Sequence, residues 1–190
     1  MSLELLWLLL LNYLAIGLLP VVFFRKGGLN LQWWMTALPL FLSPGVLLAG
    51  WLGYLTPIVP EPEGVAQMLR MVAVTFCALS LSLISWARGI HRIPIALWHQ
   101  GKDAPESIVT EGPYAKIRHP FYLSFLLTLH ASVLAFPHPL TGFLLFWGAL
   151  ILNETAAREE GKLKASKFGA EYTAYCKRTG RFLPRWKPTG

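Results

Sequence analysis

Long uncharged runs alternate with short basic clusters along this chain. Leu5 to Phe24 carries no charge, Gly27 to Pro60 carries none, and Ala66 to Ala87 holds a single one, Arg70. His119 to Asn153 has no formal charge over 35 residues and is divided by Pro137-His138-Pro139. Crossing a bilayer takes about 20 apolar residues, so the pattern predicts five spans. Three are helices over roughly 3–24, 34–54 and 66–87. The last two are the arms of a hairpin, Phe121–Phe136 and Leu140–Asn153, both short for a full crossing. The expected fold is an all-α integral membrane protein of about five transmembrane helices, with a helical hairpin and a cytoplasmic C-terminal helical tail. The first run is expected to stay as a span. It lacks the basic residues that open a signal peptide, and Arg25-Lys26 follows it instead.

Composition agrees with that picture. The 190 residues are 54% hydrophobic and 14% charged, with a positive mean hydropathy, outside the range of an ordinary soluble domain. The 17 Lys and Arg are placed unevenly: two at 25–26, five between Arg88 and Arg118, nine after Asn153, and Arg70. The 55–66 loop carries Glu61 and Glu63 and no basic residue. Five spans and the positive-inside rule then put the N-terminus outside and the C-terminus in the cytoplasm. The net charge of +7 reads as topology and attraction to anionic membrane lipid. No basic, aromatic-interleaved soluble segment argues for nucleic acid. Cys77 falls in a span and Cys176 in the tail, so free thiols are expected, with no disulfide and no metal site.

Residues 1–100 read as scaffold helices with an interfacial segment, and 101–190 as the part that carries chemistry, within one structural domain. Helices one and two hold no ionisable group at mid-membrane, and Pro39 and Pro44 should kink the second. Trp33, Trp34 and Trp51 near its ends suit the membrane interface. Thr75, Ser80, Ser82 and Ser85 on helix three suggest close helix packing. Ile90 to Trp98 should lie along the interface. After Glu154 the chain turns charged and helical, with Leu163, Phe168, Tyr172 and Tyr175 as a sparse apolar face. Gly180 would stop that helix, and Phe182 to Trp186 would return to the membrane surface.

Two polar clusters flank the hairpin. Gly112-Pro-Tyr-Ala-Lys-Ile-Arg-His-Pro-Phe-Tyr122 opens its first arm. Pro120 suits the first helical position, where the missing N–H has no intrahelical partner to lose. A helix N-terminus favours a carboxylate, and Arg118 adds a bidentate donor beside it. His119 and Tyr122 contribute further hydrogen-bonding groups. The residues alone equally admit Arg118 on a lipid phosphate and His119 as a helix cap. Glu159 and Glu160 lie past the second arm. Neighbours on a helix point about 100° apart, so one could hold an ammonium or a proton while the other faces solvent. A solvated helix start is the plainer reading. Arg181 can fold back as an anion-binding group or meet phospholipid. His130 would lie inside the membrane, where a polar group is a functional candidate. His91, His99, His130 and His138 show no metal-ligand spacing.

Ile108-Val-Thr-Glu-Gly-Pro-Tyr114 and Ile117-Arg-His-Pro-Phe-Tyr122 resemble the isoprenylcysteine carboxyl methyltransferase and phospholipid methyltransferase superfamily. So do Glu159-Glu160, Leu163, Phe168-Gly-Ala-Glu-Tyr172, Tyr175 and Arg181-Phe-Leu-Pro184. The likeness covers roughly 105–185. It departs around Ser124-Phe125, where the family usually has a small residue, often glycine, and in a spacing between Glu-Glu and Phe-Gly that is one residue longer. The resemblance implies a membrane methyltransferase using S-adenosyl-L-methionine. It implies that Tyr114, Arg118, His119, Pro120 and Tyr122 bind the cofactor, together with Glu160. Glu159, Glu160 and Arg181 would take the catalytic or orienting roles. The acceptor would be lipophilic or lipidated, bearing a carboxylate, amine or thiol. Positioning can supply roughly 7–11 kcal/mol of such a displacement, Tyr122 and Phe121 can face a cation, and an amine acceptor would need a glutamate base. A membrane NADPH-dependent reductase of the sterol-reductase type, or a non-catalytic lipid-binding or transport subunit, are the competing readings.

Overall fold

The protein is described by a computed structural model covering residues 1–18, 24–25, 28–29, 31–58, 62–90 and 108–185. The described residues form six α-helices, one 3₁₀ turn and a two-residue antiparallel pairing. Helix α1 runs Leu3–Gly17, capped by Ser2 Oγ accepting from the Leu5 amide at 3.4 Å. Strands β1 (Phe24–Arg25) and β2 (Gly28–Leu29) pair with Phe24 opposite Leu29. Helix α2 spans Leu31–Trp51 with Pro39 and Pro44 inside it. Helix α3 spans Glu63–Ile90, α4 Pro120–Ala135, α5 Pro139–Lys164 and α6 Gly169–Arg178.

Among the described residues, three helices are long and apolar enough to cross a membrane: the Trp34–Trp51 part of α2, α3 and α5. Helices α1 and α4, of 15 and 16 residues, are apolar but shorter. At 1.5 Å per residue they reach only about 22–24 Å. Outward-facing Trp7, Leu14, Leu79 and Phe146 leave a strongly apolar surface, as expected of helices bathed in hydrocarbon.

Helix α4 is the hub, touching α1, α2, α3 and α5, most extensively α3. It buries Phe121, Tyr122, Phe125 and Leu129 in the core shared with Leu9 and Tyr13 of α1 and Ile84 of α3. A buried polar seam fixes its register. Ser80 Oγ donates to the Ser124 carbonyl at 2.8 Å and lies 2.9 Å from Thr128 Oγ1. Thr128 Oγ1 reaches Asn12 Oδ1 at 3.4 Å, and Tyr13 and Ser132 hydroxyls meet at 2.8 Å. Of the hydroxyl residues of α3, Ser80 serves close packing, whereas Thr75, Ser82 and Ser85 are exposed.

Two expectations need correction here. The first helix ends at Gly17, well before residue 24, and Arg25 lies in β1. The second hairpin arm does not stop at Asn153; α5 continues through the charged stretch to Lys164. Ala156 and Ala157, with the Glu and Lys residues that follow, are good helix formers. The end of the apolar run therefore marks the end of hydrophobic surface, not of the helix. The Pro-His-Pro turn starts α5, with His138 Nδ1 accepting from the Leu140 amide and Thr141 Oγ1 from the His138 amide.

The ends of several elements gather on one face. Arg88, in the last turn of α3, donates to the carbonyls of Ala15 and Leu18 at the end of α1. Trp86 and Ile90 of α3 back the turn that leads into α4. The C-terminal part of α5 and α6 lie against the same region.

Candidate functional site

The approach to α4 is a built piece of backbone. A 3₁₀ turn, Gly112–Ala115, precedes it. Gly112 has φ +55, and a Cβ there would strike Ile90 Cδ1, so both dihedral and space call for glycine. After the turn, Ile117 pairs with Gly180 in an isolated parallel bridge. The Gly180 amide donates to the Lys116 carbonyl at 3.2 Å. The Arg118 amide donates to the Gly180 carbonyl at 2.9 Å, and the His119 amide to the Arg181 carbonyl at 3.0 Å. These bonds carry the tail back to the start of α4. Helix α6 ends at Arg178, with Thr179 extended after it. Gly180 therefore serves the bridge rather than stopping the helix.

Glu160 is the centre of a buried ion network. Its Oε1 accepts from Arg118 Nε at 2.9 Å and from Arg181 Nε at 3.1 Å, and its Oε2 accepts from Arg181 Nη2 at 3.0 Å. Arg118 Nη1 also donates to the Cys176 carbonyl at 3.5 Å and to the Thr179 carbonyl. Arg181 Nη1 donates to Asn153 Oδ1 at 2.7 Å. Glu160 and Arg118 are 6% and 9% exposed at the side chain, while Arg181 keeps 31%.

Glu159 sits one position earlier and faces different company. Tyr122 donates its hydroxyl to Glu159 Oε1 at 2.7 Å. His119 Nδ1 stands 3.6 Å from Glu159 Oε2. The His119 and Tyr122 rings stack, 5.3 Å apart and 2° from parallel, with Phe182 edge-on to His119 at 6.1 Å. His119 occupies the N-cap position but makes no capping bond with its side chain. Among the described residues its buried Nε2 makes no well-aligned hydrogen bond, and Glu160 Oε1 lies 3.3 Å away. Behind the site, Tyr175 donates to the Tyr114 carbonyl at 2.6 Å, which ties α6 to the 3₁₀ turn.

Both glutamates lie beyond the apolar part of α5, in its charged final turns, and their environments drive them apart. Burial pushes the Glu160 carboxyl upward, but His119, Arg181 and Arg118 outweigh it and hold the group well below the usual carboxylate range. Burial dominates at Glu159 and pushes its carboxyl up to about 8, against the opposing Tyr122 hydrogen bond and Lys162. His119 is lowered by burial, which exceeds the opposing pull of Glu160. Arg181 is raised, first by its hydrogen bonds to Glu160. Burial pushes the Tyr175 phenol up to about 12 and the Tyr114 phenol higher still.

The fold thus brings Tyr114, Arg118, His119, Pro120, Tyr122, Glu159, Glu160 and Arg181 to one end of the α4–α5 pair. Some sequence expectations change. Neither glutamate points freely into solvent, and neither begins a helix, since α5 runs unbroken past them. Arg118 donates to Glu160 and to the main-chain carbonyls of Cys176 and Thr179. His130 lies apart from the site on an exposed face, its Nδ1 2.8 Å from the Leu126 carbonyl. His138 caps α5. His91, His99, the interfacial stretch to Trp98 and Trp186 lie outside the described residues. Asn153, Thr179 and Phe182 join the site without having been singled out for it. The only sequence signal for Asn153 was an amide closing an apolar run.

Chemically, the site offers one neutralised anion and one carboxyl that burial pushes toward its protonated form. Beside them are a stacked phenol–imidazole pair and a partly exposed guanidinium. No protein-family model, no curated protein and no solved structure matches this chain.

Proposed function

We propose that this chain is an integral membrane methyltransferase that uses S-adenosyl-L-methionine and acts on a lipophilic acceptor. Five spans, with α1 and α4 drawing on flanking residues, would put the N-terminus outside and the C-terminus in the cytoplasm. The Arg88 bonds to the end of α1 support that topology. They join the last turn of α3 to the end of α1, so these two helix ends share a face, as that topology requires.

The observation that carries the reading is the meeting of Tyr122 and Glu159 at 2.7 Å. It joins the two sequence clusters whose likeness to the methyltransferase superfamily is otherwise a matter of short motifs. The residues suit the proposed cofactor. Among the described residues, a buried imidazole nitrogen makes no well-aligned hydrogen bond and Glu159 meets no guanidinium, and a ligand can complete such groups. When bound, S-adenosyl-L-methionine supplies an electrophilic methyl group on a sulfonium. The His119–Tyr122 stack would face positive charge, the Glu159 carboxyl would take the ammonium, and Arg181 would orient a carboxylate. Glu160 holds Arg118 and Arg181 in place and so fixes the geometry on which positioning depends. The acceptor, a carboxylate, amine or thiol on a lipid-soluble molecule, would reach this end of the bundle from the membrane.

Calorimetry on the purified full-length protein with S-adenosylhomocysteine and with NADPH tests the reading. Binding of S-adenosylhomocysteine, weakened in His119→Ala and kept in Arg185→Ala, is the expected result. Binding of NADPH alone points to a reductase, and binding of neither to a non-catalytic lipid-binding role. Labelled methyl incorporation into a lipid extract would then identify the acceptor.

A further inference from the structure

The turn after Thr179 holds one large apolar side chain outward among basic ones. Gly180 lies so close to the Leu183 carbonyl that a Cβ would collide with it, so the turn is tight. Arg181 Nη1 reaches back to Asn153 Oδ1 at 2.7 Å, which sets the turn level with the end of the uncharged run of α5. Phe182 packs against the helix core, while Leu183 beside it is 71% exposed. That is the depth at which hydrocarbon gives way to headgroups.

The cations around Leu183 are brought there by main-chain bonds. The Lys116 carbonyl accepts from the Gly180 amide at 3.2 Å. Arg185 Nη1 donates to the Lys177 carbonyl at 3.1 Å, which ties the far end of the turn to the last turn of α6, where Arg178 follows. Lys116, Lys177, Arg178 and Arg185 are all exposed. Among the described residues none of the four stands within ion-pair distance of a carboxylate, whereas Arg118 and Arg181 are taken up by Glu160. The exposed acids Glu111 and Glu171 stand at the starts of the 3₁₀ turn and of α6.

We infer that the Gly180–Arg185 turn is a docking surface for anionic phospholipid. Leu183 enters the acyl edge, and the four cations lie over the phosphates. Lipid is the occupant because it alone matches both parts. An acidic soluble partner would suit the cations but brings no hydrocarbon to the end of a helix long enough to cross a membrane. Cations near an anionic bilayer surface add their attractions, within a Debye length of it. The same turn supplies the Gly180 and Arg181 carbonyls that accept from the Arg118 and His119 amides. A docked turn therefore opens less often, and membrane charge regulates how firmly the start of α4 is closed. None of this depends on which ligand meets Glu159.

Hydrogen exchange of the full chain in nanodiscs tests the docking, in phosphatidylcholine alone and in an equal mixture with phosphatidylglycerol. Peptides covering 116–119 and 179–185 should exchange about tenfold or more slowly in the anionic discs. Molar salt should remove most of that difference. Lys177→Gln/Arg185→Gln should lose most of it, and Lys164→Gln/Lys167→Gln, which removes equal charge elsewhere, should keep it. Leu183→Asp should leave the turn unprotected in either disc. Inorganic phosphate added to the neutral discs should give no protection. Equal exchange in the two discs overturns the inference, as does equal loss in both double variants or full protection of Leu183→Asp. Protection by inorganic phosphate alone would replace the membrane surface with a simple anion site. Both double variants should melt with the wild type in detergent; a marked drop for Lys177→Gln/Arg185→Gln would mean that these side chains hold the fold, and would also overturn the assignment.

Discussion

Arg118 and Glu160 meet at 2.9 Å with each side chain less than a tenth exposed, and that contact holds the start of α4 against the end of α5. An ion pair this buried is weak evidence of net stabilisation, but breaking it from one side strands the other charge.

Arg118→Ala should accordingly destabilise the protein by about 3–5 kcal/mol, seen as a large drop in melting temperature in detergent. Arg118→Lys should recover only part of it. An ammonium cannot both reach Glu160 and donate to the Cys176 and Thr179 carbonyls as the planar guanidinium does. Full recovery with lysine would contradict this account.

Stability should fall as pH rises between about 7 and 8, at up to roughly 1 kcal/mol per pH unit from Glu159. Its carboxyl is raised from 4.5 to about 8 in the folded chain, so the folded state binds the proton more tightly and loses that advantage as pH climbs. His119 contributes little in this window. Its lowered value removes stability only when pH falls below the ordinary histidine range. Melting curves of wild type and Glu159→Gln at several pH values measure the difference; a parallel pH response in both would exclude Glu159 as the source.

Tyr122→Phe should move the titration of Glu159 to still higher pH, because it removes a hydrogen bond that favours the carboxylate. The measurement is the pH midpoint of the protonated-carboxyl infrared band. A downward shift would mean that Tyr122 is not the donor.

Ser80→Ala should cost about 0.5–2 kcal/mol through the lost α3–α4 hydrogen bonds. It lies away from the charged cluster, so the Glu159 infrared band should stay where it is. Thermal melts and the band position together check this, and a moved band would show that the buried seam sets the site's electrostatics.

Gly112→Ala should be more damaging than a surface glycine substitution, by about 1–3 kcal/mol. It combines a left-handed backbone with a collision against Ile90. Gly64→Ala, in an open part of α3, is the control and should be neutral or mildly stabilising.

The apolar runs made the long helices α2, α3 and α5 legible, because hydrophobic length is a direct record of burial in lipid or core. Their ends were less so. Leu18 to Phe24 continues the apolar pattern after α1 has stopped, and Glu154 to Lys164 interrupts it while α5 goes on. Periodicity records which surface is greasy, while helix continuity follows backbone propensity. The polar residues of the site were visible as types and spacings. Their allocation was not. Which glutamate takes the arginines depends on the Ile117–Gly180 bridge, a pairing between distant segments with no local signature. Asn153 and Thr179 escaped notice for the same reason, and Phe182 stood in a motif without a role in the site: each matters through a neighbour that the fold supplies.

The bridge has a further effect on how the protein tolerates loss of its tail. A chain ending before Thr179 would forfeit an acceptor of Arg118, the strand partner of Ile117 and the second guanidinium on Glu160 in one cut. Thr179 to Arg181 act as a buckle on the hairpin, and proteolytic trimming that removes them should open the α4–α5 mouth long before it disturbs the greasy helices.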